Sequence, residues 1–172
     1  MAFATPNSSK MVVRREPHLS IQQTAEKMRD LAWEGQTSPK VRDFALNTLR
    51  RVKPKDALSE VAALFYACCK EVHYVGDPIG AEFLQHPDVT IDTSAGDCDD
   101  MSILLASVLC TSQLSSVGYP CRFKIVGFNN EQVSHVFLET FIDGSWVALD
   151  PVAGSATQEM LNSVTSELVF EV

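Results

Sequence analysis

The segment Gly96-Asp97-Cys98-Asp99-Asp100-Met101-Ser102-Ile103-Leu104-Leu105-Ala106 constrains this chain more than any other. It reads as a tight turn feeding a buried helix, and a helix that is apolar nearly all round is stable only when other elements wrap it. Gly96 permits the turn, Asp97 is a good N-cap, and Asp100 stands where its carboxylate can reach back to the cap's own N–H. Cys98 therefore falls at the first helical position. There the unpaired backbone N–H groups and the positive end of the helix dipole favour a thiolate. A buried, inert cysteine is the commoner fate of the residue, so a nucleophile needs a partner.

The elements around this turn follow from periodicity. Residues 1–17 are polar, carry Pro6 and Pro17, and read as a flexible arm. Ser20 with Gln23 forms a capping-box pattern ahead of Ile21, Ala25, Met28 and Ala32, a first amphipathic helix stopped by Gly35. Ser38-Pro39 starts a second helix with Val41, Phe44, Ala45, Leu49 and Val52 on its apolar stripe, ended by Pro54. Asp56 caps a third helix whose Leu58, Val61, Ala62, Leu64, Phe65 and Cys68 predict the deepest burial of the three. Val72–Val75 is a short extended piece, closed by the turn Gly76-Asp77-Pro78. Ile79–Ala95 shows no clean period and reads as a long loop holding at most one helical turn. The helix from Cys98 is expected to run to about Ser115.

From Cys121 the apolar period becomes two, with Phe123 and Ile125 alternating with Arg122 and Lys124. Gly127–Gln132 makes a turn, Val133–Glu139 a strand, Asp143-Gly144 a two-residue hairpin loop, and Trp146–Asp150 the returning strand before Pro151. Leu168-Val169-Phe170 fits either an edge strand or a docking tail. Helices first and antiparallel strands after argue an α+β fold, with residues 18–172 as one domain: a helical part 18–75, a core 76–153 and a tail 154–172.

Charge and cysteine usage narrow the function classes. A net charge of -8, with one short basic run from Lys10 to Arg15, argues against nucleic acid as a partner. No apolar stretch approaches a membrane span, and the N-terminus lacks a signal-peptide core, which predicts a cytoplasmic protein. Five cysteines without an export signal argue against a disulfide framework, and no C-x-x-C points to zinc. Asp97, Asp99 and Asp100 are expected to serve the helix start rather than a metal, because helix neighbours point about 100° apart.

Of the four histidines, His18 lies in the arm, and His73 and His86 flank the irregular loop. His135 sits on a strand paired through the hairpin with the one leading to Asp150. A two-residue loop at Asp143-Gly144 sets Ile142 opposite Ser145 and His135 opposite Val152, so Asp150 shares the face of His135, diagonally across. A three-residue loop would separate them. Cys98, His135 and Asp150 thus offer a nucleophile, a base and an orienter for it. The developing oxyanion would take the backbone N–H of Cys98 and one upstream side chain, Gln85 or Tyr74. One conflict is visible: Asp97, Asp99 and Asp100 should raise the thiol pKa. Arg122 is the expected counter-charge, paired with Asp99 or Asp100.

Four blocks then resemble the core of the transglutaminase-like superfamily: Gly96–Asp100, Gly118–Gly127, Ser134–Glu139 and Gly144–Pro151, spread over roughly Leu58 to Ala153. That resemblance implies a papain-like fold and places Cys98, His135 and Asp150 at the nucleophile, base and orienter positions of a Cys-His-Asp triad acting on amides. The compact form is similar to small bacterial and phage-associated members. Cys121 stands where an alanine-like residue is usual, and the N-terminal helices match nothing recognisable in the family.

Two expectations follow. The first is a cofactor-free and metal-free amidase, peptidase or acyl transferase acting on peptide or protein amides through a Cys98 thioester. The second is a catalytically silent binding module, a phage particle component or assembly accessory with phage structural proteins as partners, in an infected bacterial cell or on the virion.

Overall fold

The computed structural model describes residues 13–14, 20–78, 83–111, 118–128, 134–154 and 158–172. Three helices open the chain: α1 (Ile21–Gln36), α2 (Pro39–Leu49) and α3 (Ala57–Glu71). Their starts follow local chemistry. Ser20 and Gln23 close a reciprocal capping box, Ser38 accepts from the Lys40 N–H ahead of a proline at the first helical position, and Asp56 accepts from the Ser59 N–H.

α5 (Cys98–Leu109) is the axis of the molecule, with every residue from Asp100 to Leu109 buried. α1 crosses it closely. Ser107 Oγ on α5 donates to the Ala32 carbonyl at 3.2 Å, and a Cβ on Gly35 would stand 2.4 Å from Ser107 Oγ and 2.7 Å from Pro87 Cγ. Only glycine lets the two helices meet there. On another side α5 packs on a four-stranded antiparallel sheet of order β7-β6-β5-β8, made by β5 (Cys121–Phe128), β6 (His135–Ile142), β7 (Ser145–Leu149) and β8 (Val164–Glu171). Phe123 and Ile125 of β5, with Val136 and Leu138 of β6, face the helix and form the centre of the core. This is an α+β architecture.

Several expectations are corrected. α3 is not the most buried of the first three helices: Leu58 and Tyr66 are 62% and 69% exposed, while α1 buries a row from Thr24 to Gly35. Ile79–Ala95 is no loop over its described part. It holds β3 (Phe83–Leu84), α4 (Pro87–Thr93) and the start of β4 (Ala95–Gly96), with His86 capping α4 by accepting from the Asp88 N–H. α5 stops at Leu109 with Cys110 as C-cap, six residues before the expected Ser115; residues 112–117 lie outside the described part. Leu168-Val169-Phe170 belongs to β8, an edge strand that pairs with β5 along its length. Its residues Leu168 and Phe170 pack on the core. Of the expected arm, β1 (Val13–Arg14) pairs with β3, while Pro6, Pro17 and His18 lie outside the described residues. Among the described residues no helix is long and apolar enough to cross a membrane.

Candidate active site

The Cys98 turn is held from both sides. Asp97 Oδ1 accepts from the Asp99 and Asp100 N–H groups at 3.1 and 3.3 Å, and Asp100 Oδ2 accepts from the Asp97 N–H at 3.4 Å, completing the capping box. Asp100 is buried and takes two further donors from Gln85, its backbone N–H at 2.7 Å and its side-chain amide. Burial, with Asp97 adding to it, pushes the Asp100 carboxyl up to about 7 against the pull of these donors. Upstream, β2 (His73–Tyr74) runs parallel to β4, and Val75 N–H donates to the Gly96 carbonyl at 2.9 Å. Tyr74 is thereby locked beside the turn.

The hairpin delivers the other two groups. Asp143 and Gly144 both take positive φ, 49° and 85°, as a two-residue type I′ loop requires, and Ile142 pairs with Ser145. His135 Nε2 therefore reaches Asp150 Oδ2 at 2.7 Å. Asp150 is fully buried, and its Oδ1 accepts from the Val152 and Ala153 N–H groups at 3.0 and 3.1 Å. An ionised carboxylate only accepts, so the imidazole proton sits on Nε2 and Nδ1 is left as the basic nitrogen.

Helix and hairpin meet at one end of the sheet. Ser102 Oγ, one turn into α5, donates to the Val136 carbonyl at 3.4 Å. Cys98, His135, Tyr74, Asp97, Asp99 and Ser134 line a single cleft of about 250 Å³, with Ile21, Thr24 and Met28 of α1 as an apolar wall. Burial raises the Cys98 thiol pKa, and Asp99 and Asp97 raise it further, while the Val136 N–H draws it down. The thiol donates to Asp99 Oδ1 at 3.6 Å. Among the described residues the sulfur's hydrogen bonds are to Asp99 and the Val136 amide, not to the imidazole.

Two expectations about the site change. Arg122 does not offset the aspartates: its Nε donates to Glu139 Oε2 at 2.7 Å and its guanidinium lies 4.0 Å over the Trp146 ring. Distance along the strand explains this: Arg122 shares its face of the sheet with His135 but lies four residues, roughly 13 Å, along β5 from the partner of His135. Gln85 is unavailable as an oxyanion donor because its amide serves Asp100 and the Ala95 carbonyl. The Val136 amide escaped sequence reasoning altogether; only its place next to His135 hinted at it.

The ligand atoms of Asp97, Cys98 and Asp99 lie within 4.8 Å of one another, close enough to converge on a cation. Asp97 is the cap, outside the helix, so helical periodicity does not keep it apart from its neighbours. A hard cation there would take two carboxylates and immobilise the sulfur, a donor set that suits neither a calcium cage nor a closed zinc site.

A calcium-bound LapG of Legionella pneumophila superposes with a TM-score of 0.52 at 15% identity, over 86% of this chain and 87% of that one. A candidate cysteine protease from Cytophaga hutchinsonii gives 0.53 at 16% identity, over 84% of this chain and 51% of that one. A candidate protease from Parabacteroides distasonis gives 0.54 at 12% identity, over 73% and 26%. The chain thus spans about half and about a quarter of the length of the last two. At these identities the likeness is one of fold. No curated protein sequence matches the chain. The model of the transglutaminase-like superfamily matches residues 46–151, more than half of the sequence and a span that holds Cys98, His135 and Asp150. On that match, the chain belongs to the transglutaminase-like superfamily.

Proposed function

We propose that this chain is a thiol-dependent acyl-transfer enzyme, an amidase, peptidase or transglutaminase-like transferase that acts on peptide or protein amides through a thioester at Cys98. Family membership supports thiol-dependent hydrolase or acyltransferase chemistry in general. The finer reading rests on one observation: an imidazole oriented by a buried carboxylate at 2.7 Å, opening onto the same cleft as a cysteine at a helix start.

In this reading His135 Nδ1 takes the thiol proton, and the resulting thiolate–imidazolium pair offsets part of the charge of Asp97 and Asp99. The sulfur adds to the amide carbon and the C=O π pair moves onto oxygen. The imidazolium then protonates the leaving nitrogen as the C–N bond breaks, leaving the acyl group on sulfur. Water or an amine, deprotonated by the same nitrogen, releases it as an acid or a new amide. Asp150 holds the Nε2–H tautomer throughout.

Selective alkylation tests the proposal. Mild iodoacetamide is expected to label Cys98 ahead of Cys68, Cys69, Cys110 and Cys121, and His135→Ala to slow that labelling. Cys68 is buried out of reach, whereas Cys69 is half-exposed like Cys98 and burial raises its pKa too, so Cys69 is the thiol against which an effect of the base is read. Uniform slow labelling of all five thiols defeats the reading.

A further inference from the structure

At the end of α5 away from Cys98 the fold brings two other thiols together. Cys110 caps the helix, and Cys121 opens β5 on the face that Phe123 and Ile125 turn to α5. The return between them is tight. The Tyr119 N–H donates to the Leu109 carbonyl at 3.0 Å, and Gly118, at a φ of 67°, passes so close that a Cβ there would stand 2.7 Å from the Cys110 carbonyl oxygen. The start of β5 is pinned in turn. The Pro120 carbonyl accepts from the Phe141 N–H at 3.0 Å and from Thr140 Oγ1 at 3.1 Å, and the Cys121 carbonyl accepts from the Val172 N–H at 3.0 Å. Both sulfurs converge on the Tyr119 carbonyl, Cys110 at 3.5 Å and Cys121 at 3.3 Å, and the two thiols hydrogen-bond to each other. Both are free thiols, Cys121 buried and Cys110 half-buried. Among the described residues no third His, Cys, Asp or Glu joins them, too few ligands for a closed zinc site.

We propose that Cys110 and Cys121 form a thiol–disulfide exchange site, a dithiol that a small-molecule disulfide of the glutathione type converts into a Cys110–Cys121 bridge joining α5 to β5. The site stands apart from the cleft at Cys98 and does not depend on acyl transfer there. Cys110, the accessible thiol, loses its proton to solvent and attacks one sulfur of the small disulfide. An S–S bond to Cys110 forms, the small disulfide's own S–S bond breaks, and one thiolate leaves and takes up a proton. Cys121 then loses its proton and attacks the Cys110 sulfur. The mixed S–S bond breaks and the second small thiol leaves, protonated in its turn. The protein gives up two electrons and two protons, and the small disulfide gains both. The bond to Cys110, then burial, raises the Cys121 pKa, which makes Cys121 the resolving thiol and not the first attacker. The bridge restrains residues 111–120 in the unfolded chain and so stabilises the fold. Cys98 lies at the other end of α5, roughly 18 Å away along twelve residues, and keeps its own surroundings.

The test uses the reduced full chain and oxidised glutathione. After incubation the protein is quenched with acid and digested without reduction for mass mapping, free thiols are counted, and urea midpoints are measured before and after dithiothreitol. The expected result is a linked Cys110–Cys121 peptide, loss of two of the five free thiols, and a higher urea midpoint that dithiothreitol reverses. Cys121→Ala is expected to retain glutathione as a mixed disulfide on Cys110, with no rise in midpoint, and Cys110→Ser to take up none at Cys121. Wild-type protein in which glutathione stays on Cys110 overturns the proposal. So does a bridge through Cys68, Cys69 or Cys98, a chain that keeps all five thiols at every glutathione ratio, or a Cys110–Cys121 bridge that lowers the midpoint. The wild-type map alone decides, so a variant that fails to fold leaves the test intact.

Discussion

Neutralising Asp99 is expected to make Cys98 more reactive. Asp99 Oδ1 lies 3.6 Å from the sulfur and is named among the groups that raise the thiol pKa, after burial. Two unit charges at about 4 Å interact by about 1 kcal/mol in bulk water and about 4 kcal/mol at an effective dielectric near 20. The partly exposed cleft falls between these limits, so Asp99→Asn should lower the thiol pKa by about 1 to 3 units, at about 1.4 kcal/mol per unit. Nucleophilicity falls as basicity falls, with a Brønsted slope of about 0.4–0.5, so roughly half of the gain in thiolate reaches the rate. The expected acceleration of iodoacetamide labelling at neutral pH is about 3- to 50-fold. Asp143→Asn is the control, a like change in the hairpin turn on the far side of the His135–Asp150 pair. The decisive assay is the pH profile of Cys98 labelling, whose midpoint should move to lower pH in Asp99→Asn. An unchanged midpoint and rate would refute the reasoning, because it would mean that the imidazolium already holds the sulfur ionised whatever Asp99 does.

Other outcomes follow from the same geometry. Asp150→Ala strands the His135 Nε2–H and the Val152 and Ala153 N–H groups, and should destabilise the fold by about 2–4 kcal/mol in urea denaturation, beyond any effect on activity. Gly35→Ala forces a methyl into Ser107 and Pro87 and is expected to lower the urea midpoint by the equivalent of about 1–3 kcal/mol. A carboxyl ¹³C titration should place Asp100 near 7; a midpoint in the ordinary carboxylate range would contradict its burial. The sign for stability is fixed by that upward shift. The protonated form fits the fold better, so the stabilising contribution is full below the unfolded value near 4 and is lost as pH rises through about 7. Urea midpoints from acid to neutral pH should therefore carry a decline that Asp100→Asn removes.

The candidate site was legible where its geometry is local. Asp97 and Asp100 cap a helix three residues apart, and the two-residue loop at Asp143-Gly144 fixes by parity alone that His135 and Asp150 share a face. Cys98 joins them in the sequence as a helix-start cysteine beside a strand histidine and aspartate, a grouping that the resemblance strengthens, since nothing local ties residue 98 to residue 135. The misses have physical causes. α4 is seven residues long, shows no apolar stripe and is capped by a histidine, an uncommon cap. β8 was readable in retrospect, because Leu168, Phe170 and Val172 alternate toward the core. Arg122 misses the aspartates because it stands four residues along β5 from the partner of His135, a separation that depends on the strand register and not on any local pattern. Gln85 could not be resolved from sequence, because its bonds to Asp100 depend on how two distant turns dock.

The division of the site between a helix and a hairpin also sets an order in time. A ribosome makes the whole of α5 before it reaches His135 and Asp150, at about 5–20 residues per second. For a few seconds the nascent chain carries Cys98 without its imidazole, and the sulfur has no neighbour to take its proton. His135 and Asp150 follow together on one tight hairpin, so a single element carries both groups to α5. In the proposed reading, chemistry at Cys98 is thus delayed until the sheet has closed over the helix.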